Sequence, residues 1–447
     1  MDTNAIMELD PELVKEFACL QVSTREISAE ELANFDENAP LRPRSQVKHP
    51  SYKHVPQFFY VPPPPDDKLR YLLRREAHSL FLQQQSEELL DNDELNELWN
   101  KLEQHVTETT AKKQQLINYD DYCKLQSAIG KKCRRYLTAR LFAHLLSDSP
   151  YLGSVEIISI FNFTMRKVFL TQCRIGLSFY DEVGQGYLRE FDMENYILDI
   201  IPTLKQIRDK MQPAFEKFYV CTVVKRFYFF LDHLRTGRIR ITDMLASGLI
   251  NELMELRDEP TTTESSQPSQ SNCFSMTAVL AVYGSYLSLD LDHNGLLSKQ
   301  ELAGYGSGTL TSIFLDRVFE ECHTYDGEMD YKTFLDFAFA LENRQTSSAM
   351  HYIFRMLDVQ HTGYLTMQTL QYFFKGIEEQ LVVLNAEPIR FEDFNNEIFD
   401  MVKPKDPCKI TLQDMHNCGQ AETVVSILIE FHKFWAYENR DDNPQHV

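Results

Sequence analysis

The sequence predicts an all-α protein whose helices form repeated pairs joined by short loops. Two observations lead to this prediction. Apolar residues recur at helical spacing almost throughout the chain from Leu69 onward. In addition, a short loop with glycine at its sixth position and an apolar residue at its eighth recurs along the chain, each time after an apolar segment such as VVKRFYFF or HYIFRML. This recurrence indicates one supersecondary unit used several times.

Composition limits the classes of partner. The chain has 447 residues, of which 43% are hydrophobic, which is enough for two or three domains with their own cores. Its formal net charge of −21 argues against nucleic acid or an anionic membrane surface as a direct partner. A basic surface on another protein would suit this charge better.

The chain divides into regions by changes in composition and periodicity. A stretch rich in Ser, Thr and Pro between two helical regions predicts an exposed linker. The helix starting near Asp91 is predicted by its capping-box relation with Glu94. The run Pro62–Pro65 predicts a stiff spacer, with an SH3 or WW ligand as the alternative. The predicted regions are an extended, poorly ordered arm (1–54), an N-terminal helical region (55–258), a linker (259–275), a C-terminal helical region (276–440) and a tail (441–447).

Four loops share the full pattern, and they begin at Asp181, Asp232, Asp290 and Asp358. Glycine suits the sixth position because it turns there with positive φ. The eighth residue is apolar because it pairs with the same position of a neighbouring loop and is buried between the two units. Weaker copies of the pattern place Ile117, Val155, Met329 and Ile410 at this eighth position. This is the EF-hand unit, so we expect an elongated array of mostly degenerate EF-hands with short inter-loop β pairs.

The stretch DLDHNGLLSKQE predicts a calcium site, because it has oxygen ligands at every position that a twelve-residue calcium loop uses. A metal-free acidic turn is the alternative. Binding in the sensor range, on the order of 10⁻⁷ to 10⁻⁵ M, is expected from this ligand set. The GYGSG sequence that follows should cut the exiting helix short. The predicted ligands are Asp290, Asp292, Asn294, Leu296 through its carbonyl, Ser298 directly or through water, and Glu301 with both carboxylate oxygens.

The other loops fail at the ligand positions. Val183 and Leu234 stand at the third position of their loops, where calcium needs an oxygen. Thr369 and Thr333 stand at the twelfth position, where a bidentate Glu is required, and Cys322 begins its loop without an oxygen. One Ca²⁺ site is therefore expected, and a second is doubtful.

The chain carries no catalytic motif that we recognise. The phosphate-binding GxxxxGK[ST], the zinc-binding HExxH, the nucleophile elbow GxSxG and the kinase motifs HRD and DFG are all missing. The nine cysteines are scattered and never form a CxxC, so we interpret them as reduced. No secretory signal or apolar run of about 20 residues is found, so we expect an intracellular protein that is not an enzyme.

Several strings of the chain are long and unusual in composition, namely FTMRKVFLTQCRIGLSFYD, GYLREFDMENYILDIIPTL, KRFYFFLDHLRTGRIRI, LDLDHNGLLSKQEL, EMDYKTFLDFAFALEN and FWAYENR. They resemble the B-double-prime class of protein phosphatase 2A regulatory subunits, and most closely its gamma branch, which includes the plant protein FASS. The resemblance runs from about residue 55 to 440.

The resemblance implies a non-catalytic subunit that binds the scaffold and catalytic subunits of the phosphatase and directs it to phosphoprotein substrates. It also implies calcium binding, and a cytoplasmic and nuclear location with centrosomes or microtubule-organising sites as further candidates. The second hypothesis is a stand-alone EF-hand calcium sensor or adaptor that exposes an apolar groove and captures target helices. The two differ in a simple way, because only the first should purify together with phosphatase subunits.

Overall fold

The computed structural model describes residues 68–110, 113–181, 184–258 and 272–440. The predicted arm, the proline-rich run, most of the predicted linker and the tail lie outside these residues. The last linker residues do belong to the core, since Phe274 is fully buried and stacks on Phe227 with ring centroids 5.3 Å apart.

The region before the linker is helical, with short strands at the loops. Its helices are α1 (Lys68–Glu87), α2 (Asn92–Gln104), α3 (Tyr119–Ala128), α4 (Lys131–Arg134), α5 (Ala139–Asp148), α6 (Ile157–Ser178), α7 (Glu190–Ile200), α8 (Lys205–Arg208), α9 (Glu216–Leu231), α10 (Ile241–Ala246) and α11 (Leu249–Glu255). Its strands are β1 (Glu108–Thr109), β2 (Gln115–Asn118), β3 (Ser154–Glu156), β4 (Tyr187–Leu188) and β5 (Ile239–Arg240).

The region after the linker continues the same alternation. Its helices are α12 (Met276–Leu289), α13 (Lys299–Leu302), α14 (Ser312–Glu321), α15 (Tyr331–Glu342), α16 (Ser347–Leu357), α17 (Met367–Val383), α18 (Phe391–Val402), α19 (Leu412–Asn417), α20 (Ala421–Ile429) and α21 (Phe431–Glu438). Its strands are β6 (Tyr364–Leu365) and β7 (Ile410–Thr411). The all-α fold class with short β pairs is thus confirmed, and no helix in the described part of the chain is long and apolar enough to span a bilayer.

The loops pair two by two through their eighth positions, as predicted. Within the described residues, four antiparallel pairings join Ile117 to Val155, Leu188 to Ile239, Leu297 to Met329, and Leu365 to Ile410. Each of these side chains is at most 2% exposed. The pairing therefore buries one apolar residue from each loop while the short strands satisfy their own backbone groups.

The local signals at helix ends were also predicted correctly. Asp91 and Glu94 form the reciprocal capping box at the start of α2, and Leu95, Leu98 and Leu102 are buried on one face of that helix. The exiting helix of the predicted calcium loop, α13, ends at Leu302 after four residues. The glycine at the sixth position has positive φ in each full loop, with values of 78° at Gly186, 69° at Gly237, 81° at Gly295 and 79° at Gly363.

The predicted calcium loop lies within the largest core cluster of the described residues. Leu289, Leu297 and Leu302 from the loop and its flanking helices belong to this cluster. The cluster extends through α14 to α21, and α15 also packs against α9 of the preceding region. The loop is therefore held on a rigid base, which is what a preorganised metal site requires.

Candidate metal centre

The predicted calcium loop follows α12, a helix without a single charged residue. The backbone N–H of Asp290 closes this helix by donating to the Tyr286 carbonyl at 3.1 Å. The Tyr286 hydroxyl then donates to the Gly295 carbonyl at 2.7 Å, which ties the middle of the loop back to the helix. Tyr286 therefore holds the first half of the loop at both of its ends, Asp290 and Gly295.

Three of the predicted ligands converge. Asp290, Asp292 and Glu301 each offer a carboxylate oxygen, and these oxygens lie within 4.8 Å of one another. Asp290 is buried, Asp292 is exposed and Glu301 is half-buried. Three carboxylates at this spacing repel one another in the absence of a cation, and hard oxygen ligands are those that Ca²⁺ prefers.

Asp290 provides the clearest sign that a cation fits. Its Oδ2 accepts a hydrogen bond from the Gly295 N–H at 3.1 Å. Its Oδ1 is buried and has no hydrogen-bond partner among the described residues. A buried carboxylate oxygen without a partner costs free energy, and a bound Ca²⁺ would satisfy it. The residues present therefore fit a calcium ion.

Glu301 is oriented by donors from the loop. Its Oε2 accepts from the Ser298 N–H at 2.9 Å and from the Ser298 hydroxyl at 2.7 Å, and its Oε1 accepts from the Leu291 N–H at 2.9 Å. These hydrogen bonds, those from Ser298 above all, lower the pKa of Glu301 below its ordinary value. The carboxylate is therefore ionised and faces the first residues of the loop, as a bidentate ligand at the twelfth position should.

Gly304, three residues after the end of the loop, allows the chain to turn just after α13. A Cβ at Gly304 would lie 3.2 Å from the Glu301 carbonyl oxygen and 3.3 Å from a methyl of Leu289. These distances are tighter than ordinary side-chain contacts. Gly304 therefore lets the chain turn closely under the metal loop.

Asn294 and the neighbouring loop meet at a contact that the sequence reasoning missed. The Asn294 Nδ2 lies 3.1 Å from Asp292 Oδ2 and 3.3 Å from Glu328 Oε2. Glu328 precedes Met329, whose backbone pairs with Leu297. The predicted pairing of eighth positions, which here joins Met329 to Leu297, implies that Glu328 lies close to the predicted calcium loop. The contact was not predicted, because an acidic residue next to the eighth position belongs to no ligand pattern.

The remaining predicted ligands lie within the loop. The Leu296 N–H donates to Asn294 Oδ1 at 2.7 Å, and Leu296 itself is half-buried next to the paired residue Leu297. The Ser298 side chain accepts from the Glu301 N–H at 3.3 Å and so caps α13. In this geometry Ser298 is engaged with Glu301, which favours a role for its oxygen through water rather than direct ligation.

In two of the degenerate loops, donors from the same loop satisfy both carboxylate oxygens of the first residue. In loop 232–243, Asp232 Oδ1 accepts from the backbone and hydroxyl of Thr236 at 2.8 and 2.9 Å, and Oδ2 accepts from the Gly237 N–H at 2.7 Å. Asp358 is bonded in the same way to Thr362 and Gly363. A threonine at the fifth position thus supplies a donor to the carboxylate oxygen that remains without one at Asp290.

Comparison with known proteins finds a family match for two of the degenerate loops. The EF-hand domain family matches residues 178–259, which contain the two degenerate loops beginning at Asp181 and Asp232. The chain is 54% identical over 391 residues to the B''-gamma regulatory protein of serine/threonine-protein phosphatase 2A from Danio rerio, covering 88% of this chain and 84% of that protein. The chain belongs to the B'' family of protein phosphatase 2A regulatory subunits.

Other members of the B'' family agree. The human gamma protein is 52% identical over 390 residues, with 87% of this chain and 85% of the relative covered. The probable B'' member TON2 of Arabidopsis thaliana is 38% identical over 396 residues, with 86% of this chain and 82% of the relative covered. The expected resemblance to the gamma branch is confirmed.

A solved structure is also similar. It is described as a PP2A PR70 holoenzyme and designated diCa, and it matches with a TM-score of 0.51 and 26% sequence identity. The match covers 56% of this chain and 92% of the other. This likeness to a chain from a phosphatase holoenzyme agrees with the EF-hand fold described above.

Proposed function

We propose that this B'' family member binds the scaffold and catalytic subunits of protein phosphatase 2A and brings phosphoprotein substrates to the phosphatase active site. The identity of 52–54% to gamma-branch proteins over nearly nine-tenths of the chain supports this proposal above all. The protein would perform no chemistry itself. It would raise the effective concentration of its substrates near the phosphatase, which increases the rate of dephosphorylation without a new catalytic group.

Calcium has a defined place in this proposal. One Ca²⁺ would be held by Asp290, Asp292, Asn294, the Leu296 carbonyl and Glu301, with Ser298 contributing through water. The orphaned Oδ1 of Asp290 supports this assignment. The ion would neutralise three converging carboxylates and stiffen the loop pair built on Leu297 and Met329. Its role would be to hold the two paired EF-hand loops together.

A free calcium sensor is less well supported. A sensor opens its hand by moving a full exiting helix and exposing an apolar groove. Here α13 spans only Lys299–Leu302, so the loop is not followed by a long helix whose movement could open a groove. The family membership also favours the regulatory role.

The location is a further part of the proposal. We place the protein in cytoplasm and nucleus, with centrosomes and microtubule-organising sites as candidates, and with neither nucleic acid nor membrane as a direct partner. The net charge of −21 supports the last two points because phosphate-rich surfaces would repel it. Fluorescence microscopy of the tagged full chain tests the location, and a uniform association with membranes would contradict it.

Affinity purification tests the main proposal. The tagged full chain is expressed in cells, and the captured proteins are identified with calcium present and with a chelator. We expect the scaffold and catalytic subunits of protein phosphatase 2A under both conditions. Capture of neither would overturn the proposal. Recovery only of other proteins, and only with calcium, would favour the sensor.

A further inference from the structure

A solvent-connected cavity of about 420 Å³ lies between loop 232–243 and the helices α9, α15 and α16. The metal loop does not contribute to it. Its walls include charged side chains, and those that matter here are Lys225, Asp232, Arg235, Asp336 and Arg355.

The carboxylates of this cavity are already engaged. Asp336 accepts from Lys225 at 3.1 Å and lies 3.7 Å from the Arg235 guanidinium. Asp232 accepts three hydrogen bonds from its own loop, and Glu190, also in the wall, pairs with Lys332 at 2.8 Å. Asp336 and Glu190 are therefore already paired with cations, and Asp232 is held by neutral donors of its own loop. Within the described residues, none of the three is hydrogen-bonded to another cation of the wall.

Arg355 is that other cation. Its Nε and Nη2 are shielded from solvent, and neither has a hydrogen-bond partner among the described residues. These two nitrogens form the edge of the guanidinium whose N–H groups point in parallel, the edge that grips a carboxylate or phosphate with two bonds. Leaving such donors unsatisfied is costly, so an oxyanion that reached them would be stabilised.

A second guanidinium approaches the same aromatic ring. The centres of the Arg235 and Arg355 guanidinium groups lie 5.4 and 5.8 Å from the centroid of Tyr352. Burial raises the pKa of Tyr352 well above its ordinary value, so the phenol is neutral and offers no counter-charge. Two guanidinium groups therefore approach one uncharged ring. Arg235 has Asp336 as a neighbouring carboxylate, whereas the inner edge of Arg355 has no hydrogen-bond partner, and an oxyanion held between the two groups would be attracted by both.

Exposed residues of a degenerate calcium loop lie at the mouth of the cavity. His233, Leu234 and Arg235 occupy the second to fourth positions of that loop and are exposed, with Leu234 72% exposed. Leu234 stands where a calcium loop would carry an oxygen ligand. A loop that has lost its cation ligands thus presents a cationic side chain and an apolar side chain at the mouth of the cavity.

We propose that this cavity binds an oxyanion carried by a peptide side chain, with Arg355 and Arg235 as its anchors and Leu234 as a contact for the peptide next to it. Phosphoserine, phosphothreonine and glutamate share this chemistry. The site goes beyond the tethering function proposed above and does not require the other phosphatase subunits for binding.

Calorimetry on the full chain tests the proposal. Inorganic phosphate and three short peptides that differ only in a central phosphoserine, glutamate or serine are titrated at constant ionic strength. We expect saturable binding of phosphate and of at least one acidic peptide, and none of the serine peptide. R355Q and R235Q should each weaken binding about tenfold or more, the loss expected for a hydrogen bond to a charged group. The matched control is R238Q, because Arg238 belongs to the same loop but does not line the cavity.

Each outcome decides the matter. Tighter binding of the phosphoserine peptide supports the site and identifies a phosphorylated residue as its ligand. Equal or tighter binding of the glutamate peptide also supports the site and shows that a carboxylate is sufficient. The proposal is overturned by absent saturable binding, by serine binding as strong as that of the acidic peptides, or by binding that survives both R355Q and R235Q. If R355Q fails to fold, R235Q still decides, because Arg235 is an exposed loop residue.

Discussion

Leu297 and Met329 exchange two backbone hydrogen bonds of 2.8 Å, each donating its N–H to the carbonyl of the other. Both side chains are fully buried. The pairing joins the predicted calcium loop to loop 322–333, which has Cys322 and Thr333 instead of oxygen-rich ligands at its first and twelfth positions. A loop without the calcium-ligand pattern therefore supports the loop that has it, and this explains why the eighth position is apolar in both loops.

The first prediction concerns this pairing. Met329→Ala should destabilise the protein by about 2–5 kcal/mol, the usual cost of truncating a buried methionine. It should also weaken calcium binding, because the loop loses part of its base. Urea unfolding with calcium and with a chelator measures both effects. Met367→Ala is the control, since Met367 is 52% exposed. Equal stability of the two variants would contradict the structural role of Met329.

Glu301 is predicted to be the decisive ligand. Glu301→Gln removes the charge and one strong ligand oxygen, so calcium affinity should fall by about tenfold or more, equivalent to roughly 1.4 kcal/mol. Titration calorimetry of the full chain measures this. Asp243→Asn changes the same position of a degenerate loop and should leave the affinity unchanged. An unaltered affinity in E301Q would show that the ligand assignment is wrong.

Glu328 is predicted to support the site from the neighbouring loop. Glu328→Gln keeps an acceptor near Asn294 but removes a negative charge, so affinity should fall only a few-fold, within the range of about 1 kcal/mol for a solvent-screened charge. Glu378→Gln, which removes the same charge from α17, should have no such effect. Terbium luminescence and calcium competition provide the measurement, and equal affinities of both variants would remove Glu328 from the site.

A buried ion pair near the C-terminus is predicted to contribute strongly to stability. Arg344 bonds Glu430 and also the Ser426 hydroxyl, and the Arg344 and Glu430 side chains are only 10% and 12% exposed. Arg344→Ala should destabilise the fold by about 3–5 kcal/mol, because it leaves a buried carboxylate unpaired. Arg390→Ala breaks an exposed pair with Asp393 and should cost less than about 1 kcal/mol. Thermal unfolding compares the two, and similar losses would contradict the argument.

Much of the fold was predictable because its signals are local. The sixth-position glycine and the eighth-position apolar residue each serve the loop in which they stand, so Gly295 and Leu297 could be interpreted from one short stretch. The same holds for the capping box of Asp91 and Glu94. The half-unit around Ile117 was also recognisable, and the structure provides its partner at Val155.

The features that escaped prediction depend on residues far apart in the chain. The contact of Asn294 with Glu328 needs the pairing of two loops, and the cavity needs Lys225, Arg235, Asp336 and Arg355 to come together from three helices and a loop. Single charged residues follow no periodic pattern in the sequence, so their contacts with distant residues cannot be predicted from it.

The sequence by itself determined the repeated helix–loop–helix units, the one ligand-complete loop and the family, because spacing within a dozen residues carries that information. Only the tertiary structure decided which loops pair, which carboxylate oxygen is left without a partner at Asp290, and which guanidinium nitrogens of Arg355 are shielded from solvent without a hydrogen-bond partner. Burial and partnership are properties of the packed core, and the core forms only when distant segments meet.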